Sequence, residues 1–148
     1  MDGLEQEYAR LSYEARVYKN QLALLQKEIE KVTLTSMDIN NAVRTLESMA
    51  VGEALIPIGG GSFARGEVKS TSILLSVGGG YLIEVSKETA LEKLKRRAEL
   101  TKQAIERLAQ EFSKISARLD ATAKQLRETE RRIVISKRTE ESAKEDYI

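Results

Sequence analysis

The sequence contains no cysteine and no histidine. Disulfides, thiolate nucleophiles, imidazole bases and the usual zinc site are therefore excluded. No catalytic, cofactor-binding or metal-ligating residue is expected, and an enzyme is the least favoured reading. Aromatic residues make up only 5% of the chain against 32% charged residues, a balance that argues against a large globular core. Neither charge sign dominates, with 24 basic and 23 acidic residues. The electrostatic footprint of a nucleic-acid binder is missing. Pairs such as Arg131 and Arg132 read as solvated helix faces. No apolar run is long enough to span a bilayer, and the N-terminal MDGLEQEYAR has no signal-peptide core. The expectation is a cytoplasmic chain with no membrane partner.

Glycine and the single proline are absent from two long stretches, and both carry a heptad pattern. With Tyr8 as position a, the a positions run Tyr8, Ala15, Leu22, Ile29, Ser36 and Val43. The d positions run Leu4, Leu11, Tyr18, Leu25, Val32, Ile39 and Leu46. Near the other end, a positions are Leu91, Ala98, Ile105, Phe112, Leu119, Leu126 and Ile133, and d positions include Leu94, Leu108 and Ile115. A repeat of about 3.5 residues keeps one narrow stripe facing a partner helix. Two such helices of near-equal length can fold back on each other, each covering the other's stripe. Asp2 with Glu5 is a plausible capping box for the first helix, and Ser86 a plausible N-cap for the second. Gly52 stands where a left-handed helix cap would place it.

Between residues 53 and 85 the period changes to two. Ala54-Leu55-Ile56-Pro57-Ile58 leads into Gly59-Gly60-Gly61, with Phe63 to Lys69 following. Ile73-Leu74-Leu75-Ser76-Val77 leads into Gly78-Gly79-Gly80, with Tyr81-Leu82-Ile83-Glu84-Val85 following. Strand, glycine turn, strand occurs twice, so two β-hairpins are expected. The triglycines are not phosphate loops, because no Lys-Ser/Thr pair follows them. Isolated hairpins are marginal in water. Leu55, Ile56, Ile58, Phe63, Ile73, Leu75, Val77, Leu82, Ile83 and Val85 are therefore expected to pair with strands of other subunits. The domain reading is one unit: helix 4–50, hairpins 53–85, helix 87–139 and tail 140–148. The fold class is mainly α, a long antiparallel two-helix coiled coil joined by two β-hairpins.

These residues resemble the α-class subunit of prefoldin, the archaeal and eukaryotic chaperone, over roughly residues 4 to 138. The most specific stretch runs from Leu55 through Ile56-Pro57-Ile58-Gly59-Gly60-Gly61-Ser62-Phe63 to Gly66. Leu75 to Glu84 is similar to the family's second hairpin, and two hairpins rather than one mark the α class. The resemblance implies a hexamer of two α-class and four β-class subunits, with hairpins forming a multi-subunit β-barrel core. It implies an ATP-independent holdase whose coil tips bind unfolded polypeptides and deliver them to a group II chaperonin. No cofactor is implied.

At the tip, Thr122, Thr129 and Ser136 occupy d positions, where polar side chains should loosen the seam and let it fray. Fraying would bare Leu4, Leu11, Leu126 and Ile133 to a client. Val134 and Ile135 fall on the solvent side. Tyr13, Val17 and Leu24 cluster opposite the seam at about 100° per residue. Leu4, Tyr8, Leu11, Tyr13, Val17, Ile133, Val134 and Ile135 are thus the candidate client-binding residues. The rival reading is a coiled-coil adaptor that scaffolds one specific partner.

Overall fold

A computed structural model describes residues 2–146, of Asp2 the backbone alone. The side chain of Asp2, with its expected capping box, and the last two tail residues lie outside the described residues. The element order is α1 (Asp2–Ser48), β1 (Gly52–Gly59), β2 (Ser62–Val68), β3 (Ile73–Gly78), β4 (Tyr81–Val85) and α2 (Lys87–Glu145). Helix α2 thus continues through residues 140–145, which the heptad pattern had left as tail. The glutamates, alanine and lysine there have good intrinsic helix propensity without a seam. The chain divides into two compact units, one of Met1–Lys31 with Ile105–Ile148 and one of Val32–Ala104.

The first unit is a pair of antiparallel helical segments. Leu4 and Glu5 line a crevice with Ile133, Ser136 and Lys137. Gln21, Leu25 and Glu28 line a groove with Glu111 and Ile115. As α1 advances, its neighbours on α2 fall in number, which fixes both direction and register. The heptad positions are the covered ones. Leu11, Ala15, Ile115, Thr122 and Thr129 are buried. The two threonines are buried at the polar d positions of the seam, and Leu11 is only 1% exposed.

The second unit holds a small mixed core. Leu46 of α1, Ala90 and Leu94 of α2 and Leu75 of β3 form it, with Val43, Met49, Ile73, Val85 and Leu91 packed around. Strand alternation explains the choice. Ile73 and Leu75 share one face, opposite Val85 and Ile83 in the β3–β4 register. That face meets the helices. The core contains no residue of β1 or β2.

The ends of the helices are tied by specific polar groups. Ser86 caps α2, its hydroxyl accepting from the Thr89 backbone N–H at 3.1 Å. The C-terminus of α1 has no basic residue in its last turn. Lys87 supplies one from α2, its Nζ donating to the Met49 carbonyl at 2.9 Å and the Glu47 carbonyl at 3.5 Å. Gly52 is not the cap. It has a positive φ of 132° but opens β1, beyond both carbonyls that Lys87 meets.

Each hairpin is its own two-stranded antiparallel sheet, β1–β2 and β3–β4. Both turn residues have positive φ in each case, Gly60 with Gly61 and Gly79 with Gly80, the requirement of a type I′ turn. The internal repeat of the sequence reappears as a repeated irregularity. The register shifts between Pro57 and Gly59 in one hairpin and between Ser76 and Gly78 in the other. Ile58 and Val77 are the extra residues, and a bulge of this kind turns a side chain out of the ladder.

Candidate interaction surfaces

The second unit offers an apolar surface made by the hairpins. In β1–β2, Leu55 is 66% exposed, and Ile56, Ile58 and Phe63 are also exposed. The alternation leaves no clean inner face. Leu55 lies across from Arg65, Ile56 from Ala64 and Pro57 from Phe63, so apolar groups stand on both sides of the ribbon. Gly66 makes room for one of them. A Cβ there would come within 2.6 Å of Ile56 Cδ1, so the bare backbone lets the isoleucine lie across its neighbour strand. Pro57 donates no hydrogen bond.

Hairpin β3–β4 behaves differently. Leu75 is only 6% exposed and belongs to the chain's own core, with Ile73 and Val85 packed beside it. These three are among the residues expected to meet other subunits; within the chain Leu75 is buried, while Ile73 and Val85 are only partly covered. Val77, Leu82 and Ile83 remain exposed, as do Tyr81 and Leu74, which alternates with inward Leu75. Arg97 was also missed. Its Nη2 donates to the Ser76 carbonyl at 2.9 Å, locking the strand to α2. Nothing in a local pattern announces a bond across that span of sequence.

The first unit carries the tip residues. Val134 and Ile135 are exposed, Ile135 at 63%, and they line one groove with Arg127, Glu130 and Arg131. Tyr13 and Tyr8 are exposed on α1, the latter despite its a position, while Val17, Leu4 and Ile133 are half-buried. Leu11 is not available at all. As the most enclosed side chain of the seam, it can meet a client only if the helices part. The structure therefore brings together Val134 and Ile135 and leaves Tyr13 and Val17 on the other helix. No cluster of carboxylates among the described residues is able to hold a metal ion. No helix among them is long and apolar enough to cross a membrane.

Comparison with known proteins decides the family. The family model described as prefoldin subunit matches residues 18–132, which include both hairpins and most of both helices. The chain belongs to the prefoldin family. Its relatives include the prefoldin alpha subunit of Methanobrevibacter smithii, 32% identical over 85% of this chain and 90% of the relative. The alpha subunit of Pyrococcus horikoshii is 28% identical over 85% of this chain and 89% of its own length. Among solved structures, a filamentous prefoldin from Methanocaldococcus jannaschii superposes with a TM-score of 0.62. It covers 77% of this chain and 98% of that one at 19% identity, a likeness of fold. Two long helices with paired hairpins between them are thus a prefoldin arrangement, and prefoldin subunits are chaperone components that assemble with one another.

Proposed function

We propose that this prefoldin chain is the α-class subunit of an ATP-independent holdase. In this reading two copies join four β-class subunits through their hairpins. The helical segments of the first unit hold unfolded polypeptides and pass them to a group II chaperonin. The chemistry required is modest. Non-native chains expose apolar side chains, and an apolar surface at the tip gains roughly 25 cal/mol for each Å² of such area it covers. No bond is made or broken, and no cofactor enters.

The observation that carries the reading is the uncovered β1–β2 ribbon. A hairpin with Leu55, Ile56, Ile58 and Phe63 exposed and two free edges invites pairing with another chain. Hairpin β3–β4 gives one face to the chain's own core and keeps Leu74, Val77, Tyr81 and Leu82 exposed, so both ribbons have apolar surface for a partner. At the other surface, Val134, Ile135 and Tyr13 are accessible without opening the coil, and they are the first residues proposed to touch a client.

The test uses the assembled complex, made by co-expression with a β-class subunit. Serine at Ile133, Val134 and Ile135 should leave assembly intact and weaken suppression of aggregation of a denatured enzyme. The effect should be partial, because the other subunits bring tips of their own. Unchanged holding with intact assembly would remove these residues from the client surface. Capture of one specific partner without protection of unfolded proteins would point to a scaffold instead.

A further inference from the structure

The grooved face of α2 near Val134 and Ile135 is not simply apolar. Between Lys124 and Arg138 the sequence has six basic residues and two acidic ones. The whole chain has a net charge of only +1, so this is a local excess. Position sharpens it. Lys124, Arg127, Arg131, Ile135 and Arg138 follow one another by three or four residues and so share one helix face. Val134 adjoins them. The seam residues Leu126, Thr129 and Ile133 lie on the other side.

Ion pairs do not consume this charge. Among the described residues, salt bridges join Arg10 to Glu14 and Lys95 to Glu47. The six cations between Lys124 and Arg138 have neither an ion pair nor a hydrogen-bond partner there. Arg127 and Arg131 line the very groove that holds Val134 and Ile135. Glu130 lines it too, and Glu128 stands one turn away, but neither is paired to a cation. An arginine fork matches a carboxylate with two parallel N–H donors.

We infer that this face binds non-native segments in which carboxylates neighbour apolar side chains. The apolar part of the segment lies on Val134 and Ile135, and its acidic residues pair with Arg127, Arg131 and Arg138. The inference rests on the holding function proposed above and names the client chemistry that this subunit favours. A surface built of leucines alone would not discriminate by charge. This one does, and segments rich in lysine or arginine are turned away by like charge.

The experiment measures fluorescence anisotropy with the assembled complex and three labelled unstructured peptides. They are equal in length and apolar content and differ only in carrying Glu, Lys or uncharged polar spacers. The acidic peptide should bind roughly tenfold more tightly than the basic one at low salt, the scale of a few exposed ion pairs acting together. Physiological salt should narrow the gap. Arg127→Gln with Arg131→Gln should abolish the preference while the uncharged peptide still binds. Ile135→Ser should weaken acidic and uncharged peptides alike. Circular dichroism on each variant verifies the fold, and these side chains are solvent-facing. Equal affinity for acidic and basic peptides would overturn the inference and leave the holding function standing. If no peptide binds and denatured protein is not held, both fall. A single-stranded oligonucleotide that binds as well as the acidic peptide, indifferent to Ile135→Ser, would show a general polyanion site and also overturn it.

Discussion

Lys87 shows how much one side chain does in this chain. The last carbonyls of a helix have no intrahelical partner, and α1 ends without a basic residue of its own. The ammonium of Lys87 meets two of those carbonyls from the first turn of the other helix. It thereby joins α1 to α2 at the point where both enter the hairpins. Lys87→Met keeps the aliphatic stem and removes the donor. It should lower stability by about 1 kcal/mol, read as a shift in the urea midpoint at constant slope. Lys87→Arg should restore part of it. No change in either variant would mean that water serves those carbonyls equally well. Thr122 and Thr129 teach a second lesson at this scale. A heptad count scores them as weak points, yet both are buried. Their burial follows from the d positions they occupy, and how firmly the seam holds at a polar position cannot be read from residue type alone.

The elements themselves were legible. Periods of about 3.5 and 2 are properties of the chain alone, so both helices, both hairpins and the glycine turns could be placed from residue types. The N-cap at Ser86 was equally local. The burial of one face of β3–β4 was not. Alternation separates Leu74 from Leu75, but it does not say which face a helix end will cover. That choice depends on Leu46, Ala90 and Leu94 arriving at one place, a contact made across long separations. The consequence is a contrast between two substitutions. Leu75→Ala removes a core side chain and should cost on the order of 2–4 kcal/mol, visible as a lower thermal midpoint for the chain alone. Leu55→Asp changes an exposed position. It should leave that midpoint nearly unmoved and instead reduce the fraction of chain that elutes in complex with a β-class subunit. The reverse pattern would mean that the roles of the two ribbons are exchanged.

For the molecule as a whole, the described residues offer two surfaces of different character. One is a hydrophobic ribbon whose open edges suit backbone pairing between chains. The other is a groove where apolar and cationic side chains alternate on a helix. The first suits lasting assembly, because exposed apolar side chains are costly to leave wet. The second suits transient contact, because ion pairs formed on an exposed face stay in water and are individually weak. The proposed function uses both, one surface for assembly and the other for clients.

The central claim is that this chain completes itself only by joining other prefoldin subunits through its exposed ribbon. Native mass measurement after co-expression with a β-class subunit tests it most directly. The account predicts one dominant species whose mass equals two copies of this chain plus four of the partner, lost when Leu55 is replaced by aspartate. A chain that remains a stable monomer at micromolar concentration beside that partner would contradict it.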